Sequence, residues 1–484
     1  VTDRTVQGEP QSEQREHVDV GDIGYSKSLK ARHINMIAIG GAIGTGLFLG
    51  AGGRLAQAGP ALAIAYGVCG LFAFFVVRAL GELILHRPSS GAFVSYAREF
   101  MGEKGAFVAG WMYFLNWATT GIADITAISL YAHYWSLFSP IPQWVLALVA
   151  LVAVLALNLV SVKLFGEMEF WFAIIKVGAL VVFMVIGIGL LVMSHPIGGT
   201  VPGPQLIFDH GGVLPNGLVP LILVIQGIVF AYAAVELVGV AAGETENPAK
   251  VMPKAINSIM WRIGIFYVGS VILLSMLLPW NAYQKGESPF VTVLSQLGIP
   301  AAGDVMNLVV LTAAMSSLNS GLYSTGRILR SMAAAGSAPK FTGLMNRNQV
   351  PYGGILLTGA VCVLGVGLNY VVPAGAFEIV LNFAAVAIIS TWGMIMLCHL
   401  LFVRKSKTGA VSRPTYRLPG SPVTQIVTIA FLLGVVVLMW FDVPAGRVTL
   451  YCIPLIAAAL VIGWFGVRKR VDTAKALEEA GERF

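Results

Sequence analysis

The run Gly40-Gly41-Ala42-Ile43-Gly44-Thr45-Gly46 places four glycines in the middle of an apolar stretch. Glycine in a helix interior costs about 1 kcal/mol relative to alanine, so the run invites unwinding. A helix that restarts near Gly44 offers free backbone N–H groups and the positive end of its dipole, and both suit a carboxylate. A packing face of small residues is the other use of such a run. A second stretch, Gln226 to Glu236, holds Gln226, Tyr232 and Glu236 in equally apolar surroundings. Ionisable groups at that depth are functional candidates by default. Carbonyl ends of the half-helices before such breaks can accept hydrogen bonds from an ammonium group. A zwitterionic α-amino acid satisfies both kinds of end at once. Gly41, Ala42, Gly44, Thr45 and Gly46 are the expected contacts on the first stretch, with Phe230, Ala231 and Tyr232 on the second.

Two polar stripes accompany the breaks. Tyr113, Asn116, Trp117, Thr120 and Asp124 fall at i, i+3, i+4, i+7 and i+11, and Ser316, Asn319, Ser320, Tyr323 and Arg327 repeat the pattern. That spacing puts each set on one helix face. The two faces should meet each other or water; interhelical hydrogen bonds worth about 0.6 kcal/mol each are the plainer reading. Asn116 and Asp124 are the members singled out for binding. Glu82 is expected to be a paired structural carboxylate near the inner face.

Long helices must position these groups. Of the 484 residues, 57% are hydrophobic and 11% charged, against about 25% charged in soluble proteins. A soluble enzyme is excluded, because so few charges cannot wet a globule of this size. A membrane-spanning helix needs about 20 mainly apolar residues. Twelve such stretches occur: 34–57, 61–86, 106–133, 142–162, 168–193, 218–243, 256–279, 303–333, 353–371, 375–403, 423–441 and 447–467. They are too long and too uniformly apolar for membrane β-strands. The expectation is an all-α polytopic membrane protein with 12 transmembrane helices.

With the N-terminus inside, 26 Lys and Arg fall on the inner side, and Arg54, Lys285 and Arg447 on the outer side. Arg78 and Lys176 stay within spans. This asymmetry sets both termini in the cytoplasm and accounts for the net charge of +7 without a nucleic-acid partner. The polar first thirty-odd residues lack a signal-peptide pattern and read as a cytoplasmic tail. The broken first and sixth spans are five helices apart, and five is odd, so a repeating five-helix unit must invert. The expected divisions are a tail at 1–33, a first repeat at 34–193, a second at 218–403, helices 11 and 12 at 423–467, and a tail at 468–484.

Cys69, Cys362, Cys398 and Cys452 sit in apolar stretches without metal spacing. His195, Asp209 and His210 fall in an outer loop read as solvated. No metal or cofactor is expected. There is no P-loop, no His-Glu-x-x-His and no potassium-filter sequence. An ion-gradient-driven carrier, or a membrane-embedded enzyme or channel, remains.

Several motifs, in order along nearly the whole chain, resemble the amino acid transporter family of the amino acid–polyamine–organocation superfamily. They are GGAIGTGLFLG at 40–50, ALGELILHRPSSGAFVSYA at 79–97, GETENPAKVMPKAI at 243–256 and NSGLYSTGRILRSMAAAGSAPK at 319–340. The resemblance implies a LeuT-like fold of two inverted five-helix repeats plus two helices, alternating access and proton symport. It implies that Lys176 is the coupling cation, standing where sodium-coupled relatives hold sodium, beside first-span carbonyls and Ser316 or Ser317; Glu236 is the other coupling candidate. Within the family, GWMYFLNWATTGIADITA at 110–127, EMEFWFAIIKV at 167–177 and PWNAYQKGESPFVT at 279–292 are similar to bacterial L-asparagine permeases. Lysine permeases also carry an Asp near position 124, so that residue does not discriminate. Phe230-Ala231-Tyr232 departs from the more usual Phe-Ser-Phe break. The implied activity is import of L-asparagine with a proton across a bacterial inner membrane, with Asn116, Asp124, Gln226 and Tyr232 around the carboxamide. Transport of another neutral or basic amino acid, or a solute-gated channel, are the alternatives. Oligomeric state is not legible.

Overall fold

The computed structural model describes residues 36, 43–89, 91–242, 247–373 and 375–479. Gly40, Gly41, Ala42, the 1–33 tail and residues 243–246 lie outside the described residues. The first apolar stretch carries α1 (Thr45–Phe48) and α2 (Gly50–Ala58), joined at Leu49. Next come α3 (Leu62–His86) and α4 (Ala92–Ala132). Within α4, Gly102 takes φ 79°, which L side chains rarely adopt. The helix expected at 106–133 thus continues beyond a kink, back to Ala92. After Pro142 comes α5 (Gln143–Asn158), and α6 (Val162–Met193) starts where the Ser161 hydroxyl accepts from Leu164 N.

The sixth stretch is divided into α7 (Leu218–Leu223), α8 (Ile225–Ala231) and α9 (Leu237–Ala242). Asn247 caps α10 (Pro248–Arg262), which passes through wider turns at Ile263–Gly269 into α11 (Ser270–Leu277). The remaining long helices are α12 (Ala302–Ala334), α13 (Tyr352–Val371), α14 (Ala376–Lys407), α15 (Val423–Leu438) and α16 (Ala445–Glu479). Among the described residues the chain is helical, with one isolated β-bridge between Ile197 and Thr200. Helix occurs in every stretch picked out by hydropathy, and among the described residues eight segments are long and apolar enough to cross a membrane.

α4 is central and packs on α5, α12, α13 and α14. α16 lies outside on α14 and α4, with none of its apolar window buried by the rest of the chain. Val182, Val185 and Ile188 of α6 and Leu455, Ile462 and Phe465 of α16 are exposed. Apolar surface on this scale requires hydrocarbon around it; the chain is a multi-pass membrane protein.

Glu82 on α3 is fully buried, pairs with His399 (2.9 Å) and Arg413, and accepts from Leu418 N (2.7 Å). Nearby, the Arg78 guanidinium lies 3.4 Å over the Tyr416 ring and its Nε donates to Arg417 O (3.0 Å). Counted within a span by its position, Arg78 therefore reaches the segment that follows α14, because its long stem carries the charge toward the helix end.

The two interrupted helices touch. A Cβ built on Gly46 would stand 2.4 Å from Ala231 Cα, whereas one on Gly44 meets only Ser317, at 3.9 Å. Backbone cannot yield as a side-chain tip can. Gly46→Ala should destabilise the fold by about 1–3 kcal/mol, and Gly44→Ala should not. Thermal unfolding of the two purified variants in detergent checks this; equal midpoints would contradict the close approach.

Candidate functional site

Gly44 stands in extended backbone (φ −131°, ψ −163°) and no side chain caps α1. The N–H groups of Thr45 and Gly46 therefore have no acceptor within the helix. The Thr45 hydroxyl donates to Asp124 Oδ1 at 2.9 Å, tying the first break to the polar stripe of α4. Ser317 of α12 faces the same carboxylate, which is fully buried.

The second break runs from Ala231 to Leu237. Tyr232 leaves the helix, and Ala234 takes φ 74°. The Ala231 carbonyl, orphaned by the end of α8, accepts from the Tyr267 hydroxyl at 2.9 Å. Glu236 is fully buried; Trp392 Nε1 donates to its Oε2 at 3.4 Å, and the Asn116 side chain faces it. Asn116 Oδ1, Asp124 Oδ2 and Glu236 Oε1 have no hydrogen-bond partner among the described residues. Buried polar atoms are nearly always satisfied, so three idle acceptors near two helix breaks mark a place for donors that the described residues do not supply.

A third cluster adjoins these. Lys176 of α6, 1% exposed, donates to Ser316 Oγ at 3.0 Å. Ser316 donates to Glu169 Oε2 at 2.8 Å, and Asn319 Nδ2 to Glu169 Oε1 at 2.8 Å. Asn158 holds Asn319 in turn, with Nδ2 2.9 Å from Asn319 Oδ1. Lys176 lies within electrostatic reach of both Glu169 and Asp124. The stripe of α4 meets α12 beside that helix's own stripe: the Tyr113 and Ser324 hydroxyls bond each other, and Gly321 leaves room for Trp117. The α12 stripe turns to α6 instead, with Ser316 and Asn319 on Glu169 and the Tyr323 ring stacked on Phe165.

The structure thus brings together Gly44, Thr45, Asp124, Lys176, Ser316 and Ser317 on one side, and Asn116 with Glu236 on the other. It does not bring Tyr232 and Gln226 to Asn116. The Tyr232 hydroxyl donates to Tyr66 O at 2.8 Å and its ring stacks on Tyr267, 4.5 Å between centroids. Gln226, five residues before the break, turns outward and donates to Asp442 Oδ2 at 2.7 Å. The helical turn between them points the two side chains to different neighbours. Phe230 and Ala231 are buried beside α1. Of the first-span carbonyls expected near Lys176, those of residues 37–42, Gly41 and Ala42 among them, lie outside the described residues.

Sequence reading passed over Glu169, which sits at the edge of its apolar stretch and looks like an end residue. Its i, i+7 spacing from Lys176 was the available signal, since it places both on one face of α6. Arg54 was counted as an outer charge. It is buried between the interrupted helices, with Nη1 donating to Gly46 O at 2.8 Å.

Residues 33–476 match the family model described as amino acid permease. An L-asparagine permease of Streptomyces coelicolor is 72% identical over 99% of this chain and 98% of its own length. One of Salmonella typhimurium is 59% identical, covering 97% of this chain and 95% of its own. L-asparagine permease 1 of Mycobacterium tuberculosis is 56% identical, covering 95% and 94%.

Glu169 and Lys176 depend on the same Ser316 hydroxyl. Glu169→Leu should cost about 3 kcal/mol, because it strands a buried cation's counter-charge network. Adding Lys176→Met should recover part of that loss, since both members of the cluster are then gone. Denaturation of the two single variants and the double variant in detergent measures the coupling; strictly additive losses would show that the two groups act separately.

Proposed function

The chain belongs to the amino acid permease family, and on that premise we propose that it imports L-asparagine together with a proton, by alternating access, across a bacterial inner membrane. The observation that carries the proposal is the meeting of two interrupted helices inside an apolar bundle, with the Asp124 carboxylate bonded to Thr45 at the first break. The names of the relatives support asparagine as the solute. The proposed architecture has twelve spans with both termini cytoplasmic. Residues 34–193 and 218–403 are two inverted five-helix repeats of the LeuT-like type, 423–467 adds two helices, and 1–33 and 468–484 are tails.

The substrate carboxylate sits against the N–H groups of Gly41, Ala42, Gly44, Thr45 and Gly46, where the dipole of the restarted helix favours negative charge. Its ammonium group faces the carbonyl end near Phe230 and Ala231. The carboxamide both donates and accepts. Glu236 Oε1 and Asn116 Oδ1 are idle acceptors for its N–H groups. A site built to bond a polar group rejects analogues lacking it more strongly than it rejects a change of size. Aspartate would bring a second negative charge toward Asp124 and Glu236.

Lys176 supplies the coupling charge. It reaches α12 through Ser316 and lies near Asp124, so the lysine and the first break share one electrostatic neighbourhood. A proton moving with the solute draws about 2.3 kcal/mol from each 100 mV of membrane potential, enough for roughly fortyfold accumulation.

Three measurements test this in proteoliposomes. Labelled L-asparagine uptake challenged with the twenty amino acids should be suppressed most by L-asparagine itself; suppression led by another amino acid would reassign the solute. Lys176→Met should bind asparagine weakly and lose its response to an imposed pH gradient, and full pH-driven accumulation by that variant would move the coupling site to Glu236. Counterflow excludes the channel alternative: unlabelled solute on the far side accelerates exchange by a carrier and not by a channel.

A further inference from the structure

A cavity of about 260 Å³ opens beside the helix breaks, lined by residues 49–57 after the first break and 223–227 before the second. Four of its lining residues carry charge: Arg54 and Lys285 are cations, Glu378 and Asp442 anions. Among the described residues no ion pair joins either cation to either anion. Two buried amides complete the wall. Gln226, 6% exposed, and Asn382, 2% exposed, each keep a carbonyl oxygen without a hydrogen-bond partner. Their amino groups are already committed, to Asp442 Oδ2 at 2.7 Å and to Glu378 O at 3.1 Å.

The cavity is built around its arginine. A Cβ on Gly50 would fall 2.4 Å from the Arg54 guanidinium, and one on Gly227 would fall 2.5 Å from it. Each interrupted helix thus surrenders a side chain to seat this group. Arg54 Nη1 spends its donors on Gly46 O at 2.8 Å and the Tyr66 hydroxyl at 3.5 Å, and the Nε and Nη2 donors suit a carboxylate. Opposite charges that share a small cavity without pairing fit a solute that carries both signs. The volume lies below the usual range for drug-sized ligands, which matches a small metabolite.

We propose that this cavity is a second binding site for a zwitterionic α-amino acid with a carboxamide side chain, a staging site one helical turn from the breaks. Arg54 and Lys285 take the carboxylate, Glu378 and Asp442 the ammonium, and the idle oxygens of Gln226 and Asn382 the carboxamide N–H groups. The identity of the solute rests on the reading of the chain as an L-asparagine carrier; the charge pattern of the cavity does not.

Equilibrium binding of labelled L-asparagine to the purified full chain in detergent counts the sites. The wild type should saturate at two per chain. Asn116→Leu with Asp124→Ala should retain one, and Glu378→Gln with Lys285→Gln should also retain one. Glu378 and Lys285 are exposed, so the latter pair tests the cavity without threatening the fold. At the site left by Asn116→Leu with Asp124→Ala, L-asparagine should compete at least tenfold better than its carboxyl amide or its des-amino analogue succinamate. One site per chain, untouched by Glu378→Gln with Lys285→Gln, would overturn the cavity site and leave the central one standing. No saturable binding by the wild type would overturn the solute assignment itself.

Discussion

Gly46 and Ala231 pass so close that a side chain on Gly46 would run into the Ala231 backbone. Backbone that leaves the helix inside a membrane must find partners within the protein, because hydrocarbon supplies none. The two breaks meet that demand by sharing surroundings. Tyr267 caps the carbonyl at the end of α8, Arg54 takes the Gly46 carbonyl, and Thr45 ties the restart of the first helix to Asp124. The polar groups near the bundle centre are arranged around this single constraint.

The consequence is a division of labour between sides. On one side Lys176, Glu169, Ser316, Asn319 and Asn158 form a satisfied network that links α5, α6 and α12. Buried charges are tolerated there because each has hydrogen-bonding neighbours. On the other side Asn116 and Glu236 keep idle acceptors, as Asp124 does between the two. A satisfied network holds geometry, and an unsatisfied one waits for donors. The contrast separates groups that position the site from groups that can receive a solute.

Glu82 plays the holding role elsewhere. It clamps α3 to His399 of α14 and to the segment containing Arg413 and Leu418. Arg78 on the same helix secures Arg417 and Tyr416 of that segment. Glu82 and Arg78 of α3 thus hold the segment that joins α14 to α15, while Val76, Val77, Leu80 and Leu83 beside them fill the core. An arginine and a glutamate one turn apart on a hydrophobic helix carry their meaning in what they reach, not in where they start.

By itself the sequence determined the membrane class, the helical spans and the places where two helices break. These follow from local quantities: the length of apolar runs, the conformational freedom of Gly44 and Gly46, and polar residues set where hydrocarbon forbids them. It also set each polar stripe of α4 and α12 on one helix face, because i, i+3, i+4 and i+7 spacing fixes a face regardless of the rest of the fold. Only the tertiary structure decided which polar groups meet. Glu169 joins Lys176 because α12 offers Ser316 and Asn319 to both sides of one helix face. Tyr232 goes to Tyr66 and Tyr267, and Gln226 to Asp442, because the turns of α8 between them set the two side chains on different faces and the packing around α8 supplies each face with its own partners. Arg54 leaves the outer charges for the groove between the breaks because Gly50 and Gly227 leave a space there that only the packing of two distant segments creates. Rotation, tilt and contact between segments far apart in the chain have no local signature, and in this protein they decide the site.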